Sequence, residues 1–327
     1  MSPINKAILL VGGKGTRLMP ITSKTPKPML KIAGAPVTEH QIVKAREAGI
    51  KEIVLATSYL ADIFEPHFGD GSSFGIKIKY AFESEPLGTG GAIANAAQML
   101  ELSANESIFI FNGDVLSSHD LIAQSQLHSK SNAAVTLHLV EVPDARVYGC
   151  VPIDADSKVL QFLEKMDNPI AKTINAGCYI FSKEALNQIP KGKVVSVERE
   201  TFPALLDSGQ NIFGYVDGGY WIDMGTPESM IRASRDLISN PMLSKATPEV
   251  INHTLMMNGV QVHTSSKVGA GSYLDSGVVI EANSIVSGSI IGEKAHIESD
   301  VFIENSYIAP QSRVTSGSKL RGEIFGF

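Results

Sequence analysis

The chain has little cysteine, one tryptophan and no long apolar run. With only two thiols in 327 residues, a disulfide scaffold and a cysteine metal cluster are both excluded. Cys150 and Cys178 stand in strand-like apolar surroundings and are expected to be buried and reduced. No window approaches the roughly 18 apolar residues of a membrane span, and the run in "MSPINKAILLVGG" is too short for a signal sequence. A cytoplasmic protein without a membrane partner is the expectation. Basic residues are also in deficit, 28 against 34 acidic, for a net charge of −6. No cationic face along a duplex is expected, so nucleic acid is not a predicted partner. An anionic substrate would have to be met by local cations and not by the overall field.

What is present is ordinary for a folded enzyme, with 43% hydrophobic and 19% charged residues. From Lys6, short β-rich runs alternate with helical periods: "AILLV", "APVTEHQIVKAREAGI", "KEIVLATSY", "GTGGAIANAAQML" and "SIFIFNGD". Uniformly apolar strands separated by helices predict a parallel sheet covered on both faces. Such sheets bind ligands at the carboxyl ends of their strands, which places the loops after Val11 and Asn112 at the site. The helical pattern stops around "LISNPMLSKATPEV", which divides the chain into a catalytic domain at 1–240 and a linker with a second domain at 241–327. The tail reads in sixes, "VGAGSY LDSGVV IEANSI", then after a slip "IGEKAH IESDVF" and later "IAPQSR". An aliphatic residue opening each hexad and a small residue at its fifth position are the signature of a parallel β-helix. The fold class expected is therefore α/β: a Rossmann-like, open, mostly parallel sheet followed by a short left-handed parallel β-helix of hexapeptide repeats, with three to four coils of about 18 residues.

The loop "LLVGGKGTRLMP" closes the first strand with Gly12, Gly13 and Gly15, then Thr16 and Arg17. Glycines at this place let backbone N–H groups approach phosphate oxygens with no Cβ in the way. It is not a dinucleotide fingerprint, because Leu18 stands where the last glycine belongs, and not a P-loop, because Ile8 stands where the first belongs.

The longer stretch "GGKGTRLMPITSKTPKPML" resembles the signature of the sugar nucleotidyltransferases, or nucleotide-sugar pyrophosphorylases. That family condenses a nucleoside triphosphate with a sugar 1-phosphate and releases pyrophosphate. The resemblance implies that Gly12, Gly13, Gly15 and Thr16 wrap the triphosphate while Arg17 and Lys27 neutralise it. Those residue types suit the reaction, since two anions must meet and a forked guanidinium matches a departing pyrophosphate. "FNGDVL" and "YWIDMGTPESM" resemble the segments that supply two magnesium carboxylates, Asp114 and Asp223, with Asn112 beside the nucleotide. "SEPLGTGGAI" resembles the base-reading loop, with Glu85, Gly88 and Thr89 near the nucleoside. Sugar and sugar phosphate would be held by Gly149 of "DARVYGCV", Glu164 and Lys165 of "FLEKM", and Asn175 and Gly177 of "INAGCYIF". Arg146 is displaced from the family's R-Y-G by Val147 and carries no role, Met166 replaces a proline, and Trp221 is expected to pack in the core.

The spacing of "EPLGTGG" and the hexapeptide tail are most similar to guanylyltransferases acting on mannose 1-phosphate or a related heptose 1-phosphate. Two other classes remain open. One is a β-helix acyltransferase using His263 or His296; the other is a non-catalytic subunit that senses nucleotide-sugar. Retention of Arg17, Lys27, Asp114 and Asp223 together favours catalysis. The exposed hexad faces either meet solvent or pair subunits in a homo-oligomer.

Overall fold

The computed structural model describes residues 3–327. By compactness the described residues form two units, one of residues 3–13 and 45–221, the other of residues 14–44 and 222–327. This division differs from a cut at Asn240. The excursion at 14–44 and the helix Pro227–Ser239 make their contacts with the tail, so they count with it.

The first unit is built on a seven-stranded sheet. Its strands in chain order are β1 (Lys6–Leu10), β2 (Glu52–Thr57), β3 (Lys77–Phe82), β4 (Ser107–Asn112), β5 (Val135–Glu141), β6 (Thr173–Ser182) and β7 (Ile212–Val216). Their spatial order is β7-β5-β6-β4-β1-β2-β3. β1 lies parallel between β2 and β4, with Ala7, Ile8 and Leu9 at most 1% exposed, as an apolar run with no alternation requires. Only β6 runs antiparallel to its neighbours. Its register with β5 shifts between Leu137 and Leu139, where Leu137 pairs with Tyr179 and Leu139 with Asn175. Gly177, at φ +77°, sits inside that bulge, and the irregularity re-aims the strand's side chains. The helix Leu121–Lys130 starts on Asp120, whose carboxylate accepts from the Ile122 and Ala123 N–H groups. Cys150 and Cys178 are buried free thiols.

The second unit holds three parallel sheets of five, four and four short strands, the three sides of a left-handed β-helix. Leu274, Ile291 and Ile308 stack on one inner side, Ile280, Ile297 and Val314 on the next, and Val286, Ile303 and Leu320 on the third. The fifth-position residues have two uses. Val278, Ala295 and Val301 fill the interior, whereas serines bond up the corners. Ser289 N–H donates to Ser272 Oγ at 3.4 Å and Val301 N–H to Ser284 Oγ at 3.1 Å. A hydroxyl at that corner satisfies a buried backbone donor that a methyl would leave unpaired. His263 and His296 lie on the outside of the coils, His263 bonded to Ser265 Oγ and His296 to Glu281 Oε1. The helix Pro227–Ser239 opens with a Thr226/Ser229 capping box. No helix among the described residues is long and apolar enough to cross a membrane.

Each unit buries a histidine in neutral form. In the second unit, His40 Nε2 lies 3.0 Å from the Ile32 carbonyl, so Nε2 carries the proton and Nδ1 accepts from Ser244 Oγ at 2.7 Å. In the first, His128 lies between Ser107 Oγ and Thr136 Oγ1, both at 2.9 Å. Burial pushes each imidazole down to about 4. The unfolded chain binds these protons near pH 6.5 and the folded chain only near pH 4, so stability is full above pH 6.5 and is lost as pH falls through that window. At pH 5 the loss is about 2 kcal/mol per histidine. The melting temperature should therefore fall steeply between pH 6.5 and 4.5, and His128→Gln or His40→Gln should flatten that slope. An unchanged slope in both variants would contradict the assignment.

Candidate active site

The glycine loop leaves β1 under tight constraint. Val11 N–H donates to Ala56 O at 3.0 Å, and Gly12 O accepts from Ser58 Oγ at 2.7 Å. A methyl at Gly12 would lie 2.6 Å from Ser58 Oγ, so the approach of two loops requires glycine there. Gly13 is different, because a Cβ would meet nothing within 4 Å. Its backbone faces open space, as a phosphate-binding amide must. Gly113 N–H donates to Leu10 O at 2.9 Å, which joins the ends of β1 and β4 and sets Asn112 and half-buried Asp114 beside this loop.

From Lys14 the chain belongs to the second unit. Gly15 takes φ +59°, and its carbonyl accepts from Thr22 Oγ1 at 2.9 Å. A Cβ at Gly15 would lie 2.9 Å from Lys27 Cβ, so this turn packs directly on the lysine. Thr16, Arg17 and Leu18 form a single 3₁₀ turn. The Arg17 guanidinium lies over the backbone of Gly225, where a methyl would come within 2.9 Å of both terminal nitrogens. The Lys27 side chain is only 8% exposed, and its Nζ is 3.7 Å from Asp223 Oδ1. Burial of an ammonium is tolerated because a carboxylate faces it. Arg17, Lys27 and Asp223 are thus brought to one place. Behind them, Ala33 N–H donates to Ser234 Oγ at 3.0 Å and Lys31 pairs with buried Asp275 at 3.1 Å, which ties the segment after Lys27 to the β-helix.

The base-loop candidates are held less evenly. Gly88 opens the helix Gly88–Ala97 at φ +70°, and a Cβ there would lie 2.5 Å from Val195 O. Thr89 Oγ1 donates to Glu198 Oε2 and accepts from Val197 N–H, both at 2.9 Å, so its hydroxyl clasps a neighbouring segment. Glu85 is exposed. The carboxylate that ties this loop is Glu83, buried, accepting from Leu87 N–H at 3.2 Å, and burial raises its pKa.

A cavity of about 680 Å³ in the first unit gathers Asn112, Gly149, Glu164 and Asn175 on its wall. Cys150 and Leu163 exchange backbone hydrogen bonds at 2.9 and 3.0 Å, which sets Gly149 beside Glu164. A Cβ at Gly149 would lie 2.5 Å from Leu163 O, so only glycine permits that approach. Gly177 packs on Asn112, whose Nδ2 would be 3.0 Å from an added Cβ, and Gly177 N–H donates to Asn175 Oδ1 at 3.1 Å. Lys165 is exposed and does not line the cavity. Trp221 donates to Ala176 O at 3.0 Å and packs against the small core around Cys150 and Ile174. Arg146 is spent on Asp144 at 2.6 Å. The wall also carries Tyr148, Glu198 and Arg199, which the motifs did not assign. Glu198 and Arg199 belong to a π-turn, Val197–Thr201, a geometry with no periodic signal in "SVERE".

The donor chemistry bears on a metal. Asp114 and Asp223 offer hard carboxylate oxygens, and no cluster of three or more His, Cys, Asp or Glu stands together among the described residues. In each unit the single carboxylate, Asp114 in the first and Asp223 in the second, is a donor of the kind magnesium takes, its shell otherwise completed by water and substrate phosphates, and not of the kind zinc prefers.

Comparison with known proteins identifies the family. A sequence profile of the family described as nucleotidyl transferase matches residues 6–240. The chain is 45% identical to the mannose-1-phosphate guanylyltransferase of Mycobacterium tuberculosis, over 87% of this chain and 82% of that protein. It is 30% identical to the UTP–glucose-1-phosphate uridylyltransferase of Synechocystis, over 98% of this chain and 87% of that one. Among solved structures, HddC from Yersinia pseudotuberculosis complexed with GMP-PN superposes with a TM-score of 0.60 at 31% identity, covering 72% of this chain and all of that one. The chain therefore belongs to the nucleotidyl transferase family, as a sugar-1-phosphate nucleotidyltransferase.

Proposed function

We propose that the protein transfers GMP from GTP to mannose 1-phosphate, or to a closely related heptose 1-phosphate, giving a GDP-sugar and pyrophosphate. The observation that carries this reading is the buried Lys27 ammonium 3.7 Å from Asp223, with the Arg17 guanidinium on the adjoining Gly225. The choice of guanine and mannose is supported by the activity of the Mycobacterium tuberculosis relative and by the guanine nucleotide analogue in the HddC complex.

In the reaction, a phosphate oxygen of the sugar 1-phosphate attacks the α-phosphorus of GTP. The bond from that phosphorus to the bridging oxygen breaks, and pyrophosphate leaves with the electron pair. The open backbone at Gly13 suits a phosphate oxygen. Arg17, permanently charged and forked, suits the leaving pyrophosphate, and Lys27 places a point charge where the α-phosphate gains negative charge. Magnesium, held by Asp114 and Asp223 together with the nucleotide, would neutralise phosphate charge and orient the triphosphate. Gly149, Glu164 and Asn175 line a cavity with the polarity and volume for a sugar.

Pyrophosphate release should be measured with magnesium across a grid of nucleoside triphosphates and sugar 1-phosphates. GTP with mannose 1-phosphate or a heptose 1-phosphate should be the productive pair, and Asp114→Ala and Asp223→Ala should each reduce it by 10²-fold or more; Asp114→Ala should melt as the parent does, whereas Asp223→Ala, which takes the facing carboxylate from buried Lys27, should fold but melt lower. Release with another pair would replace the substrates, and full activity in both variants would overturn the site. Gly15→Ala tests the loop independently. It forces a Cβ into positive φ and to 2.9 Å from Lys27 Cβ, so kcat should fall by at least about 10-fold, with roughly 1–2 kcal/mol of lost stability.

A further inference from the structure

We propose that Arg199, which no motif assigns, is a specificity-determining residue that reads a hydroxyl of the sugar together with Glu164. The inference rests on the sugar 1-phosphate reading above.

The backbone that carries Arg199 is fixed on both sides. Before it, Val195 N–H donates to Leu87 O at 2.9 Å, Gly90 N–H to Val195 O at 2.8 Å, and Val197 N–H to Thr89 Oγ1 at 2.9 Å. After it, Phe202 is fully buried and meets the rings of Tyr179, Phe181 and Phe162. Between these anchors the chain forms a π-turn, with Thr201 N–H bonded back to Ser196 O at 3.2 Å. Ser196 stabilises it further, accepting from Arg199 N–H through its hydroxyl and donating its own N–H to Glu200 Oε1. π-Turns are rare and occur where a helix must aim particular side chains at a site. This one puts Glu198 and Arg199 on the cavity wall in succession.

Arg199 Nε lies 3.0 Å from Glu164 Oε1, with the two side chains 73% and 65% exposed. An ion pair so open to water contributes about 0–1 kcal/mol to stability, too little to account for an anchored π-turn. The inventory of the cavity gives a better reason. Its charged lining is Glu164, Glu198 and Arg199, so Arg199 is the one cation there among the described residues. Carboxylates only accept, and a sugar hydroxyl that donates to one still has lone pairs needing a donor. Asn175 already gives one of its two N–H donors to Tyr179 OH at 3.1 Å and accepts from Gly177 N–H at 3.1 Å. Arg199 has five N–H donors, of which the Glu164 contact takes one. Side by side, the guanidinium and the carboxylate present a donor and an acceptor to neighbouring hydroxyls, a pattern that depends on sugar stereochemistry. A site that hydrogen-bonds a hydroxyl discriminates strongly against an analogue lacking it.

Steady-state kinetics of Arg199→Ala and Arg199→Lys should be measured with GTP and the productive sugar 1-phosphate, and again with its mono-deoxy analogues. In Arg199→Ala, KM for the sugar 1-phosphate should rise about 10-fold or more, while KM for GTP and the melting temperature stay unchanged. The penalty for removing one particular hydroxyl should shrink by a similar factor, and Arg199→Lys should restore part of it. An unchanged sugar KM, or a loss equal for every deoxy analogue, overturns the inference, the second pointing to the phosphate instead. If the unmodified protein turns over no sugar 1-phosphate, the reaction reading fails and this inference falls with it.

Discussion

The cationic loop depends on one electrostatic constraint: a lysine almost sealed from water, facing a carboxylate that the chain reaches only near the end of its first 240 residues. Lys27 is 8% exposed and Asp223 is 27% exposed, at 3.7 Å. Removing either partner would leave a poorly solvated charge, a cost of several kcal/mol. The surrounding features keep these two groups in place. Gly15 turns left-handed so that its backbone can lie on Lys27, Thr22 holds the Gly15 carbonyl, and Gly225 has no side chain where Arg17 must lie. The β-helix shares this compact unit, and Lys31 paired with Asp275 joins it to the strand that follows the lysine. The coils therefore serve as footing for the segment that carries Arg17 and Lys27.

The sheet unit solves a different problem, which is presenting polar groups inside a strand. A regular strand buried on both faces would be apolar throughout. β6 departs from that at Asn175 to Gly177, where its pairing with β5 slips and a glycine at positive φ packs on Asn112. The bulge gives a sugar-sized cavity its amide, and the Cys150–Leu163 bridge brings Gly149 and Glu164 to the same wall. Tyr179, buried behind it, donates to Glu198 at 3.3 Å, and Thr89 bonds the same carboxylate from the base loop. Glu198 thus links the loop that carries Thr89 to the cavity wall through two hydrogen bonds.

Much of this was legible in the sequence because it is carried by period or by residue type. Apolar runs without alternation gave the central strands, and the hexads gave the coils, including the slip, which the structure shows as steps of 17 residues from Leu274 to Ile291 and Ile308. Glycines where a Cβ would be crowded or the backbone takes positive φ, Gly12, Gly15, Gly88, Gly149 and Gly177, were each visible within a motif. Features made by tertiary pairing were not. The excursion of residues 14–44 into the second unit has no compositional mark. Glu83, which no motif singles out, ties the loop through Leu87 N–H because strand alternation at the end of β3 turns it inward, while Glu85 is exposed. Arg199 and Glu198 owe their positions to a π-turn, whose five-residue hydrogen bond leaves no periodic trace.

The most direct test of the central claim is the single-turnover rate of nucleotide transfer in Lys27→Met, at saturating GTP and sugar 1-phosphate, beside its melting temperature. Methionine keeps most of the volume and removes the charge. A folded variant whose rate is lower by 10²-fold or more is the predicted result. A folded variant that transfers at the parent's rate would show that the cation held by Asp223 does not act on the phosphates, and the account of this site would fail.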